Sequence, residues 1–89
     1  MRYSISFTKT FKKSFKKLVQ SDKEQVLKIL DKLAKKEILE DKYHDHALVG
    51  NFKGCRDCHI RPDLILIYKI NNEYLELLAM RLGSHSELF

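Results

Sequence analysis

Seven consecutive residues, Leu64-Ile65-Leu66-Ile67-Tyr68-Lys69-Ile70, constrain this chain more than any others. Apolar side chains fall on both alternating faces, so the segment reads as a central strand of a sheet. A turn precedes it at Arg61-Pro62-Asp63, where proline fixes its own φ and supplies no amide to a ladder. Asn71-Asn72 follows, a hairpin turn tolerant of left-handed backbone. Flanking strands are predicted over Phe52 to Ile60 and Tyr74 to Leu82. In the first of these, Phe52, Gly54, Cys58 and Ile60 suit a core face, with Arg56 a misfit. Lys53, Cys55, Asp57, His59 and Arg61 line the other face.

The N-terminal half changes period. Met1 to Phe7 alternates apolar and polar residues, the mark of a short strand with one buried face. Phe7, Phe11, Phe15, Leu18 and Val19 then fall at helical spacing, predicting an amphipathic helix from about Thr8 to Gln20 with lysines on its other side. Ser21-Asp22-Lys23-Glu24 has the form of a capping box, which predicts a second helix from there to about Ile38 with Val26, Leu27, Leu30, Leu33, Ala34 and Ile38 inward. Glu40 to Gly50 reads as a connecting loop that brings His44 and His46 toward the sheet. The order β-α-α-β-β-β is an α+β plan: a four-stranded, mainly antiparallel sheet with an N-terminal helical hairpin on one face and the opposite face open to substrate. Residues 1–89 are expected to form one domain with one core.

With 44% hydrophobic and 33% charged residues, the composition is that of an ordinary soluble globule. No apolar run approaches the length of a membrane span, and Met1 to Phe7 lacks the apolar stretch of a signal peptide, so the expected location is cytoplasmic, with no membrane contact. The formal charge of +5 favours acidic partners, either nucleic acid or an acidic protein. Cys55-Arg56-Asp57-Cys58 has a redox or zinc spacing, but residues three apart on a strand point to opposite faces, so the cysteines are expected to be structural or incidental.

Three of the four histidines stand in the strand-rich half together with Asp57, Asp63 and Arg81. RNA can be cut without a metal when a base takes the ribose 2′-hydroxyl proton, an acid protonates the departing 5′-oxygen and a cation steadies the phosphorane. Histidine suits the first two tasks because its ordinary pKa, about 6.5, leaves both protonation states accessible near neutrality. His46, His59 and His85 are the proton carriers on offer, and Asp57 and Asp63 can orient an imidazole. Arg81 or Lys53 can hold phosphate. Taken singly, each has a plainer role: Asp57 can pair with Arg56 or Arg61, Asp63 can cap the Pro62 turn, and Phe89 can plug the core.

The whole string resembles the YafQ branch of the RelE superfamily, the small ribonuclease toxins of type II toxin–antitoxin modules. The resemblance is carried by His46, Leu48 and Gly50, then Phe52-Lys53-Gly54, Arg56-Asp57-Cys58-His59, Pro62-Asp63 and Ile67-Tyr68-Lys69, and finally Arg81, Gly83-Ser84-His85 and Leu88-Phe89. Cys55 stands where a tyrosine is common in that family. The resemblance implies a RelE-like fold and an active site at His46, Asp57, His59, Asp63, His85 and Phe89, with Lys53 and Arg81 for substrate. It implies an mRNA interferase that cuts messenger RNA in the ribosomal decoding site, uses no cofactor or metal, and is silenced by an acidic antitoxin. A non-catalytic basic module that binds nucleic acid or an antitoxin-like protein is the alternative. A metal protein using His44, His46, Cys58 and His59 is disfavoured by strand geometry.

Overall fold

The computed structural model describes residues 2–89, so the first residue of the predicted N-terminal strand lies outside it. Leu64–Asn71 (β4) is the middle of five strands, in the order β1-β5-β4-β3-β2. Here β1 is Ser4–Phe7, β2 is His46–Ala47, β3 is Arg56–Arg61 and β5 is Glu76–Gly83. β1 runs parallel to β5, and every other pair is antiparallel. The sheet is therefore mixed and five-stranded rather than four-stranded. The extra strand is β2, two residues of the predicted connecting loop that pair with β3 at the far edge from β1.

Two helices carry the chain from one edge to the other, α1 at Lys9–Lys16 and α2 at Gln20–Ala34. Thr8 caps α1, accepting the Phe11 amide on its hydroxyl at 3.0 Å. The predicted capping box at Ser21 is not used. Val19 occupies the cap position of α2 with no side-chain bond, which places Ser21 and Glu24 inside the helix. Glu24 instead accepts from the Gln20 amide group one turn back, at 3.4 Å. α2 also stops short of Ile38, which is 97% exposed. Lys36 turns left-handed at φ 64°; its amide and that of Glu37 reach back to the carbonyls of Leu33 and Lys32, closing a Schellman motif. Glycine is the usual signal for that ending, so a lysine there conceals it.

Both helices lie on one face, but each packs on the sheet more than on the other helix. Phe11 of α1 and Val26, Ile29 and Leu30 of α2 bury themselves against Leu66, Tyr68, Leu77 and Ala79. The other face is not left bare. Cys55, Ile65, Ile67 and Leu88 form a second buried cluster, joined by Leu48, Phe52 and Met80. Phe52 thus sits on the face opposite to the one predicted. Positive φ at Gly50 and Gly54, +70° and +92°, bends residues 50–54 into a turn before β3 begins, so the alternation does not extend back through them. Cys55 and Cys58 are free, buried and in different clusters, in keeping with opposite faces.

The Pro62-Asp63 turn joins β3 to β4 as predicted. The next turn runs further than the asparagine pair. Asn71 accepts the amides of Glu73 and Tyr74 on its side chain, Leu75 takes φ 50°, and β5 starts at Glu76 instead of Tyr74. A bulge at Met80 shifts the β4–β5 register between Tyr68↔Ala79 and Ile67↔Arg81. A third helix of four residues, His85–Leu88 (α3), closes the chain.

Candidate active site

Strand register builds the site. His46 on β2 is opposite Asp57 on β3, Asp57 is opposite Ile67 on β4, and Ile67 is opposite Arg81 on β5. Paired residues share a face, so these four make one row across the sheet on the side away from α1 and α2. His59 lies two residues beyond Asp57, in the next row, opposite Ile65.

Asp57 is the least ordinary member. The residue is only 3% exposed, yet its side chain is a carboxylate. Burial pushes its pKa above the usual range, Asp45 adds to that, and the neighbouring imidazoles of His46, His59 and His85 oppose it. Asp57 therefore lies within the field of three histidines that come from three separate elements. His46 Nδ1 is 3.1 Å from Asp57 Oδ1 and 2.7 Å from the His44 carbonyl oxygen. The carbonyl can only accept, so it takes the Nδ1 hydrogen, and Asp57 Oδ1 is left without a hydrogen-bond donor among the described residues. That arrangement leaves Nε2 of a half-exposed imidazole as its free acceptor edge.

The loop behind His46 is held from the opposite face. Asp45 Oδ1 accepts from the buried Tyr68 hydroxyl at 2.6 Å and from Arg56 Nε at 3.2 Å. Burial, and then the Asp45 carboxylate, push the Tyr68 phenol well above its ordinary pKa, so it remains a donor. His44 closes the 3₁₀ turn Asp41–Tyr43 in a left-handed conformation, φ 49°, and its ring stands 5.5 Å from that of His59, inclined 67°. Asp45, Arg56 and Tyr68 were not among the residues expected at the site. Arg56 was a misfit on an apolar face, and that misfit was the available signal.

α3 supplies the other half. Ser84 and Glu87 form a complete capping box, a signal present in the sequence as Ser-His-Ser-Glu. Leu88 is buried in the second cluster and pins the helix down. His85 then occupies the first helical position, with Phe89 one turn on and their rings 5.1 Å apart; Phe89 also meets Phe52 edge-on at 5.7 Å. Phe89 is half-exposed and thus no core plug.

Arg81 is half-buried in the cross-strand row, and its Nε has no partner among the described residues. Two candidates stand apart from the imidazoles. The Asp63 side chain is 86% exposed on its turn, with Arg61 as its recorded charged neighbour at 4.0 Å. Asp57, for its part, pairs with neither Arg56 nor Arg61, which are taken by Asp45 and Asp22. Lys53 is exposed after the 3₁₀ turn Gly50–Phe52. Among the described residues no group of three or more His, Cys, Asp or Glu is disposed to hold a metal ion, and Cys58 is sealed in the helix-side core, away from His59.

Residues 3–89 match the family model described as the bacterial toxin of a type II toxin–antitoxin system, YafQ. The putative toxin YafQ of Haemophilus influenzae is 55% identical over 51 residues, covering 55% of this chain and 50% of that protein. The mRNA interferase toxin YafQ of Escherichia coli K12 is 49% identical over 47 residues, covering 53% and 49%. The chain thus aligns with about half the length of these curated relatives. Solved structures match throughout. A metal-bound toxin from Helicobacter pylori superposes with TM-score 0.89 at 43% identity over 100% of both chains. The YafQ of the E. coli DinJ–YafQ toxin–antitoxin complex superposes with TM-score 0.84 at 32% identity, over 100% of this chain and 99% of that one.

Proposed function

The chain belongs to the YafQ family of bacterial toxins of type II toxin–antitoxin systems, and from that premise we propose that it is an endoribonuclease that cuts messenger RNA by metal-independent acid–base catalysis. One observation carries the mechanism: His46 presents Nε2 outward because its Nδ1 hydrogen is bound to the His44 carbonyl, above a buried Asp57. As general base, His46 Nε2 takes the proton of the ribose 2′-hydroxyl, whose oxygen attacks the adjacent phosphorus. Asp57 favours the imidazolium that results, since an opposite charge close by stabilises a cation. His85 donates a proton to the departing 5′-oxygen as the P–O5′ bond breaks. The products are a 2′,3′-cyclic phosphate and a free 5′-hydroxyl.

His59, beside Asp57, orients the phosphate. Arg81 offers a delocalised cation to the phosphorane, and Phe89 stacks on a base. Lys53 and Asp63 act at the rim, the lysine on a substrate phosphate and the aspartate toward the His85 side, where it shares a hollow with Gly83 and Ser84. The substrate is messenger RNA in the decoding site of the ribosome, in the cytoplasm, and an acidic antitoxin silences the enzyme. The relatives named mRNA interferase support the messenger-RNA substrate, and the DinJ–YafQ complex supports an antitoxin partner.

Replacing the single ribose 5′ of the cut by deoxyribose should abolish scission while RNA still binds. Mass spectrometry of native products should find cyclic or 3′-phosphate ends, and whatever cutting of ribosome-free RNA occurs should continue undiminished in chelator. A 5′-phosphate product, or cutting of the deoxy substrate at the normal rate, rejects the mechanism.

A further inference from the structure

Beside the imidazoles, between the β3 end of the sheet and α2, lies an open cleft of about 980 Å3. Pockets that hold small organic ligands run from about 300 to 1,000 Å3, so a nucleotide fits with room to spare. One wall is the loop bearing Lys42, His44 and His46; the facing side holds His59, Arg61 and Gln25. Arg81, His85 and Phe89 do not line it. The cleft is thus a second contact region reached from His46 and His59, separate from the Phe89 end.

Its chemistry selects an anion with a flat polar ring. No aspartate or glutamate lines it, whereas two cations and three imidazoles do. Arg61 is already committed, gripping Asp22 through two nitrogens at 3.0 and 3.1 Å. Lys42 has no carboxylate within salt-bridge distance among the described residues, and its ammonium rests over the Tyr43 ring, 5.2 Å from the centroid. The exposed His44 ring, set at 67° to His59, makes an angled corner rather than a closed stack. The His44 main chain already orients the proposed base through its carbonyl, which leaves its side chain free to meet substrate.

We infer that this cleft is a subsite for the RNA nucleotide next beyond the two joined by the scissile phosphate, on the side away from Phe89, with the His44 ring against its base and the Lys42 ammonium at its phosphate. The inference rests on RNA being the substrate but not on its being cut. Imidazole and other aromatic faces hold unstacked bases, and a lysine supplies a point charge for phosphate.

The test uses 2′-O-methyl RNAs, which cannot be cleaved: a dinucleotide spanning the scissile step, and the same molecule lengthened by one nucleotide at its 5′ or its 3′ end. Affinity should rise about tenfold on lengthening toward the cleft, the scale of one stacked base. His44→Asn, which tolerates the left-handed backbone, and Lys42→Gln should each remove most of that gain while sparing the gain from the opposite extension. Amide and imidazole NMR shifts on adding the longer RNA should centre on residues 42–46. Equal losses at both ends, no loss in either variant, or shifts that miss this loop at saturating RNA overturn the subsite. Unmodified RNA that binds in the cleft and stays intact would reject the catalytic proposal and leave the subsite standing.

Discussion

At the scale of single residues, Asp57 sets function against stability. Its carboxyl keeps its proton to a higher pH in the folded chain than in the unfolded one, where the ordinary value is 3.8. Unfolding therefore releases a proton between those two values, and stability falls as pH rises through that window. Asp57→Asn should remove this slope and raise the melting temperature near neutrality, with little effect below about pH 3, where both states are largely protonated. The same change should slow cleavage, because the imidazolium of His46 loses its counter-charge. Melting curves at several pH values, beside single-turnover rates, check both halves. His85→Ala should slow scission by roughly 100-fold or more, the scale of a general acid, and leave the fold in place because its side chain is exposed and fills no core. A fully active His85→Ala protein would remove His85 from the role of acid.

Among elements, the edge strand β2 matters beyond its two residues. It has little apolar burial of its own, and the Asp45 bridge to Tyr68 and Arg56 holds it from the core side. Tyr68→Phe should cost about 1–3 kcal/mol, the range for a hydrogen bond to a charged group left unmade. It should also slow the chemical step, since the loop presenting His46 is loosened while no atom of the substrate site is changed. Denaturant titration and single-turnover kinetics separate the two effects; a destabilised protein that cuts at the normal rate would show that the bridge supports the fold without positioning His46. α3 has a parallel dependence on its cap. Ser84→Ala should cost about 1 kcal/mol of helix stability and misplace His85 and Phe89 together, which rates on His85-dependent substrates can detect.

For the whole molecule, the net charge of +5 is unevenly spread. Lys9, Lys12, Lys13, Lys16 and Lys17 surround one hollow on α1, and Lys17 also reaches the hollow it shares with Ser84 and Glu87 of the C-terminal cap. Surface charges of this kind are screened within about 10 Å at 0.1 M salt, so binding to an acidic antitoxin or to RNA should weaken steadily as salt is added. Charge reversal at Lys12, Lys13, Lys16 and Lys17 should lower affinity for the antitoxin and flatten that salt dependence. Affinities measured at two or more ionic strengths test this, and a slope unchanged by the four reversals would move the contact elsewhere.

The sequence by itself determined what depends on near neighbours along the chain. The apolar period of Leu64 to Ile70 specified a central strand, the phenylalanine spacing specified α1 though not its end at Lys16 short of Gln20, and Pro62-Asp63 specified a turn, because each is a matter of local dihedrals and of which face is apolar. The residue types needed for proton transfer were equally visible. Tertiary structure decided where they meet. That β1 lies parallel to β5, that His46 faces Asp57 from an unforeseen strand, and that a bulge at Met80 brings Arg81 into the same row all depend on pairings between distant segments. No local pattern encodes such a pairing, and a register slip of one residue would have turned Asp57 and His59 to the helical core.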